Sequence, residues 1–410
     1  MKVCVFTYGC RVNQYESDAI ARILKDRGYE VITELGQADV YVVNTCAVTS
    51  EAERKSRQSV SRIKKLNPNA RIIICGCASQ KDAQKFEKDG VKYISGTANK
   101  SKIADYIECS GRGDFEMETE FEECSADTDK AKVYLKIQDG CNNFCSYCII
   151  PYLRGRSRSR DIRRVIEEVK SAKCEEVVLT GINLSAYGKD IGTSLTELIR
   201  ELKDIDKRIS LGSLEVGVVD CDFLQALKEL KDFCPHFHLS LQSGADAVLK
   251  KMNRKYVRAE YLGAVNLIKE YFPDPSITTD VIVGFPTESE EDFEFTLDLV
   301  QKCSFADLHI FPYSKRDGTV AYKLGELDGR VVGERVARLE SLRDDLRKEY
   351  RAKFLDRPCN VLIEEEKDGI FVGYSQNYIR IYTKEFCKIG KIVELTPTQI
   401  YEDGLFAEKE

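Results

Sequence analysis

Two hydrophobic rhythms alternate along the first hundred residues. "KVCVFTYG", "DVYVVNTC" and "RIIICGC" are short, dense runs of β-type residues. Each gives way to a stretch whose apolar positions return every three or four residues: "ESDAIARILKDRG", "SEAERKSRQSVSRIKKL" and "SQKDAQKFEKDG". Strand followed by amphipathic helix, repeated, predicts a parallel sheet with crossover helices. Between Lys132 and Phe311 six further strand-like runs, "KVYLKI", "EVVLTG", "RISLGSLE", "FHLSLQ", "ITTDVIVGF" and "LHIF", are separated by helical patterns, as in a TIM-like or partial (β/α)6 barrel. "GERVARLESLRDDLRKEY" reads as a long charged helix, and the short strand signals after Arg357, set apart by "KDG", "SQN" and "YEDG", predict a small antiparallel β-barrel. The fold class is α/β, with a parallel-sheet domain over 1–112, a barrel domain over 131–350 and a C-terminal barrel over 351–410. The acidic, aperiodic stretch 113–130 reads as a solvated linker.

Composition narrows this. A chain of 410 residues exceeds one comfortable core, and 43% hydrophobic content excludes wholesale disorder. The N-terminus has no basic segment leading into an apolar run, and no apolar stretch approaches the roughly 20 residues of a spanning helix, so a cytoplasmic protein without a membrane partner is expected. In such a chain, 16 cysteines point to reduced thiols and metal ligation, not to disulfides. A net charge of −6 gives no global nucleic-acid signal; such a partner has to dock on local basic patches.

The C-x3-C-x2-C spacing of Cys141, Cys145 and Cys148 is expected only about 0.02 times by chance at this cysteine content. Structural zinc usually takes four ligands in paired C-x2-C units, whereas this triplet on one loop has no fourth cysteine or histidine nearby. Three thiolates on a [4Fe–4S] cluster leave one iron open. A second set follows from topology: Cys10, Cys46 and Cys77 each come just past a strand and just before a helix, while Cys4 and Cys75 lie inside or at the end of apolar runs. In an open parallel sheet, strand carboxyl ends converge on one binding point, and helix N-termini there favour an anionic cluster. This suggests a second [4Fe–4S] cluster; separately buried cysteines are the plainer alternative. His236 and His238 alternate along one strand-like run and His309 lies in another, which predicts core or strand-surface roles.

The triplet resembles the defining motif of the radical S-adenosylmethionine (SAM) superfamily, whose open iron binds SAM, with Tyr147 at the usual aromatic position. "TYGCRVNQYESD", "NTCAVT" and "GCASQ" resemble the N-terminal cysteine motifs of the radical SAM methylthiotransferase family. "LQSGADAVLKKMNRKY", "TTDVIVGFPTESEEDF" and "FPYSKRDGTVA" resemble its later motifs, and the tail resembles a TRAM domain, the family's small RNA-binding barrel. The resemblance covers the whole chain. Thr287 stands in "GFPTES" where the family commonly has glycine. "QDGCNNFCSYCIIPYLRGRSRSR" and "YGCRVN" resemble the type that acts on N6-threonylcarbamoyladenosine in tRNA; relatives acting on isopentenyladenosine or on a ribosomal-protein aspartate share both cluster motifs.

The resemblance implies two [4Fe–4S] clusters and SAM as cofactors. One SAM methylates sulfur on the Cys10, Cys46, Cys77 cluster, and a second, cleaved at the other cluster, yields the radical that takes hydrogen from adenine C2. It implies SAM contacts from Gly181 and Asn183, from Glu215 to ribose, from Gln242 at a strand end, and from "VIVGF", including Val283 and Phe285, to adenine. It further implies a tRNA anticodon stem-loop as substrate, an electron donor such as flavodoxin or ferredoxin, and a sulfur source. Arg154, Arg156, Arg158 and Arg160, with Arg163 and Arg164 nearby, are expected to face RNA, since guanidinium forks suit phosphates and one of them can meet the threonyl carboxylate. Arg380, Tyr378 and Tyr382 are the C-terminal candidates for RNA contact. A cobalamin-dependent radical SAM enzyme would need a histidine in the first domain, and none precedes His236. A non-catalytic RNA-binding protein with structural metal has no use for the triplet.

Overall fold

A computed structural model of the chain describes residues 1–126 and 130–408. The first sheet holds β1 (Lys2–Thr7), β2 (Glu30–Ile32), β3 (Val40–Thr45), β4 (Arg71–Gly76), β5 (Val91–Ile94) and β6 (Gly111–Arg112), all parallel, in the order β2-β1-β3-β4-β5-β6. Every residue of β3 is buried, because a parallel sheet is covered on both faces; hence the unbroken apolar run in its sequence. The order changes direction between β1 and β3, the switch point at which such sheets open a crevice. Helices α1 (Arg11–Asp26) and α2 (Ser50–Leu66) lie where the apolar spacing places them. The third predicted helix is shorter than expected: α3 (Cys77–Lys81) breaks at Asp82, whose φ of −159° is extended, and a single 3₁₀ turn (Ala83–Phe86) follows.

The second unit contains β7 (Lys132–Asp139), β8 (Arg158–Ser159), β9 (Glu176–Gly181), β10 (Arg208–Leu211), β11 (Asp232–Phe233), β12 (His236–His238), β13 (Ser276–Val283) and β14 (Asp307–Pro312). The six expected strands are β7, β9, β10, β12, β13 and β14. They pair in parallel as β7-β9-β10 and β12-β13-β14, and a parallel bridge between Leu214 and Leu239 joins the two groups into an open barrel. The helices are α4 (Ile150–Arg154), α5 (Ile162–Ser171), α6 (Leu195–Glu201), α7 (Cys221–Lys228), α8 (Asp246–Lys251), α9 (Arg258–Tyr271) and α10 (Glu290–Cys303). The charged helix α11 (Gly329–Ala352) then leads to β15 (Cys359–Lys367), β16 (Ile370–Ser375), β17 (Arg380–Thr383), β18 (Ile392–Leu395), β19 (Pro397–Tyr401) and β20 (Gly404–Ala407). This last sheet is antiparallel except where β17 meets β20. Tyr350 and Phe354, from the end of α11 and just beyond it, fill its core with Val361, Ile363, Ile381 and Leu405.

The solvated linker is not what the structure shows. Gln80 donates to the Phe115 carbonyl at 2.7 Å, Glu122 accepts from the Ser101 amide at 2.8 Å, and Ala126 is fully buried. Acidic side chains in this strap find donors on the two units they join, so it packs along them. Burial, helped by the neighbouring Glu122 carboxylate, raises the Glu118 carboxyl to about 7. The part of the expected linker at 127–129 lies outside the described residues. Among the described residues, no helix is long and apolar enough to cross a membrane.

Candidate active site

Cys10 caps α1 after β1, Cys46 follows β3, and Cys77 opens α3 directly after β4. The approach is tight: a Cβ on Gly9, whose φ is +112°, would meet the Cβ and Sγ of Cys46 at 2.6 Å, so only glycine fits there. Opposite, the loop carrying Cys141, Cys145 and Cys148 runs from β7 to α4. It is pinned by Asn253, whose Nδ2 donates to the carbonyls of Asn143 and Phe144 at 3.0 Å each. All six cysteines line a single cavity of about 270 Å³ between the two units.

N–H groups point at the sulfurs. The Val48 amide donates to Cys46 Sγ at 3.5 Å and Arg154 Nε to Cys77 Sγ at 3.3 Å. The Asn143 amide reaches Cys141 Sγ at 3.5 Å, and Arg254 reaches Cys145 Sγ at 3.5 Å. Burial, helped by the neighbouring cysteines of each triplet, pushes the Cys46 and Cys148 thiols up to about 12, so as free side chains they stay protonated. A bound metal reverses that preference, and donors aimed at sulfur favour the thiolate that ligates it. All 16 cysteines are free thiols, leaving both triplets available to a metal cluster.

Tyr147, Gly181, Asn183 and Glu215 stand in the cavity wall, at or beyond strand carboxyl ends. Glu215 accepts from Asn143 Nδ2 at 2.8 Å and pairs with Arg254 at 3.1 Å. Three residues expected to touch SAM are placed elsewhere. Val283 and Phe285 are fully buried core side chains, drawn inward by their apolar surface; Phe285 packs in the cluster that backs Tyr147. Gln242, with φ of +68°, bridges to Val281 through its backbone and lies outside the cavity wall.

The arginine run is corrected more sharply. Arg154 is 1% exposed and holds Glu16 at 2.8 Å, Asp139 at 3.1 Å and Asn13 at 2.8 Å. Arg158, also buried, donates to the Arg154 carbonyl at 2.6 Å and pairs with Asp139 at 3.2 Å. Buried Arg160 pairs with Glu168 at 2.5 Å and Glu123 at 2.9 Å. These three guanidiniums are consumed by an internal ion-pair network, because a buried charge must be matched. They do not face a nucleic acid. Burial opposes it, yet Arg154 and Lys136 hold the Glu16 carboxyl down to about 2. Of the four arginines, Arg156 alone is exposed, its guanidinium 4.6 Å from the centre of the Phe144 ring. Arg163 and Arg164 are exposed at the start of α5. Arg380 stacks on Tyr382 and is paired with Asp403 and Glu365, each at 3.1 Å, so its charge is matched locally.

The sequence does not single out Arg254, Asn253 or Asn143, although "MNRKY" and "CNNFC" carry them. Nothing in their spacing reveals that they converge on the cluster loop.

Residues 135–300 match the radical SAM superfamily, and residues 2–96 match an uncharacterized protein family, UPF0004. A threonylcarbamoyladenosine tRNA methylthiotransferase of Bacillus subtilis is 38% identical, over 98% of this chain and 96% of its own. A protein of the same name from Aquifex aeolicus is 39% identical, over 96% of this chain and 100% of its own. The chain belongs to the radical SAM methylthiotransferases. A tRNA-2-methylthio-N6-dimethylallyladenosine synthase of Clostridium tetani is also 38% identical, over 98% of this methylthiotransferase and 95% of its own length. Among solved structures, the radical SAM methyltransferase TsrM from Kitasatospora setae, determined with cobalamin and a [4Fe–4S] cluster, shares the fold: TM-score 0.55 at 13% identity, over 76% of this chain and 74% of that one. Membership in the superfamily makes this methylthiotransferase an enzyme that uses SAM and a [4Fe–4S] cluster.

Proposed function

We propose that this methylthiotransferase converts N6-threonylcarbamoyladenosine beside the anticodon of tRNA to its 2-methylthio derivative, using two [4Fe–4S] clusters. The observation that carries this reading is the single cavity lined by both cysteine triplets. Replacing an aromatic C–H by C–S needs a hydrogen abstractor and a sulfur donor side by side, and two sets of three thiols facing each other fit that pair of tasks. In this reading Cys141, Cys145 and Cys148 hold the cluster that meets SAM, and Cys10, Cys46 and Cys77 hold the second. When bound, the clusters supply the electron that cleaves SAM and the sulfur to be transferred.

The chain's own residues do the positioning. Asn143 and Arg254 donate to the sulfurs of the triplet loop while holding Glu215 Oε1, and Glu215 would accept from the ribose hydroxyls of bound SAM. Asn183 keeps its amide on Gln138 Oε1 at 2.7 Å and its side chain toward Cys141. Arg154 and the buried carboxylates around it fix the two units at one spacing and exclude water from between them. A one-electron reductant such as flavodoxin or ferredoxin and an external sulfur source complete the reaction. The relatives named for threonylcarbamoyladenosine support the substrate, and relatives named for dimethylallyladenosine make that nucleoside the second reading.

The test combines iron analysis with nucleoside mass spectrometry. C10A/C46A/C77A should keep SAM cleavage and about four irons of an original eight or so, and lose all methylthiolation of tRNA. C141A/C145A/C148A should lose SAM cleavage. Methylthiolation surviving the first triple substitution overturns the reading.

A further inference from the structure

Beyond the cysteines the barrel is open along one side, and its inner face is polar where barrel interiors are usually filled by branched apolar side chains. His236 and His238 on β12, Thr278 and Asp280 on β13, and His309 on β14 line a cavity of about 640 Å³, closed by Tyr374 and Tyr378 of the C-terminal barrel. All three histidines of the chain meet here, which their expected core or strand-surface roles did not anticipate. Asp280 pairs with His238 at 3.2 Å and with His309 at 3.1 Å, and the ring of His236 stacks on Tyr378 at 4.3 Å. Cys10, Gly181 and Ser213 belong to the walls of both cavities, so the two are continuous.

Arg11 lies at that junction. It follows Cys10 directly, sits over Tyr134 and Tyr378 at 5.6 and 5.9 Å, and donates to the Tyr378 hydroxyl at 3.1 Å. Among the described residues it has no carboxylate partner. Of the other guanidiniums of the cavity, Arg347 pairs with Asp307 and Arg380 with Asp403 and Glu365; Arg351, at the end of α11, feels the charges of Arg347, Asp307 and Asp403 and does not follow a cysteine of the smaller cavity as Arg11 does. A half-buried, aromatic-framed guanidinium with no anion is arranged to receive one.

We propose that this cavity takes the modified nucleoside and that Arg11 binds the carboxylate of its N6 substituent, selecting an anionic amino-acid substituent over an apolar isoprenoid one. This rests on the substrate reading above. The purine carries C2 and the N6 arm on the same edge of its six-membered ring. A cation beside Cys10 therefore holds the arm while C2 faces the cysteine cavity. Seating an isoprenoid group against His236, His238, Thr278 and Asp280 desolvates them without returning a hydrogen bond, whereas an anionic arm gains a charged partner in Arg11. Arg154, Arg158 and Arg160 are buried and paired, Arg156 stacks on Phe144 outside this cavity, and Arg11 is the guanidinium of the wall that directly follows Cys10, which makes it the specificity-determining cation.

The holoenzyme is assayed with anticodon stem-loops bearing threonylcarbamoyladenosine, its methyl ester, or isopentenyladenosine. Wild type should show a KM about 10- to 100-fold higher for the ester than for the acid, as the loss of a charge-assisted pair implies. In R11Q, acid and ester should become equivalent, the loss falling on KM more than on kcat; R11K should recover part of the preference. Equal KM for acid and ester in the wild-type enzyme overturns the proposal without any variant, and so does an R11Q enzyme that still prefers the acid. Wild-type turnover of the isopentenyl stem-loop alone overturns the substrate reading together with it.

Discussion

Arg154 Nε lies 3.3 Å from Cys77 Sγ, so a wholly buried guanidinium of the barrel unit touches a thiol of the first sheet while its other nitrogens hold Glu16 and Asp139. One side chain thus joins the two halves of the cysteine cavity electrostatically.

Removing it takes the closest cation from two buried carboxylates, leaving Glu16 to Lys136 at 3.4 Å and Asp139 to Lys136 and Arg158 at 3.3 and 3.2 Å. R154M should cost about 3–5 kcal/mol in urea unfolding, and R154K should recover little, because lysine lacks the fork that spans Glu16, Asp139 and Asn13. Glu16 adds a pH signature. Its folded carboxyl is held down to about 2, below its unfolded range, so its contribution is complete above about pH 4.5 and is lost as pH falls toward 2. An E16Q variant should therefore be destabilised at pH 7 and differ least from wild type at the acid end. An unchanged urea midpoint in R154M at neutral pH contradicts the assignment.

Thr287 has φ of +82°, a left-handed conformation that a β-branched residue adopts only under strain, and it is exposed, so it gains no packing in return. T287G should stabilise the protein by about 0.5–1 kcal/mol, the relief of strain outweighing the added freedom of the unfolded chain. Chemical denaturation reads this directly. A destabilised T287G would mean that the threonine side chain makes a contact worth more than its strain.

Arg156, exposed and stacked on Phe144 next to the cluster loop, is the member of the arginine run placed to meet a phosphate. R156A should leave stability within about 0.5 kcal/mol and reduce the slope of log Kd for tRNA against log salt by about one. An unchanged slope returns Arg156 to an ordinary solvated surface residue.

The strand and helix alternation was legible because burial on both faces of parallel strands writes itself as apolar runs; Cys10, Cys46 and Cys77 stand out because strand ends converge, and Cys141, Cys145 and Cys148 because their close spacing puts them on one loop. The arginines misled for a physical reason. "RGRSRSR" reads identically whether its charges face phosphate or face Glu16, Asp139 and Glu168, and those partners lie up to 138 residues away in the chain. A charge run shows how many cations need partners, not where they find them. Val283 and Phe285 misled in the opposite sense: a motif at a strand end was read as a wall, whereas apolar side chains with a core beneath them pack inward. Arg11 lies within "YGCRVN", a stretch that carries the family resemblance, but its spacing alone assigns it no role, since that depends on what Tyr378 leaves open.

The hydrogen bond between Arg11 and Tyr378 joins residues 367 positions apart. During synthesis the first sheet, the barrel strands and all six cluster cysteines emerge from the ribosome well before that tyrosine. A nascent or prematurely terminated chain thus contains both cysteine triplets while lacking Tyr374 and Tyr378, the far wall of the larger cavity. On the proposed roles, the residues for chemistry are made before those for selection, and only a chain extended through the last sheet has both.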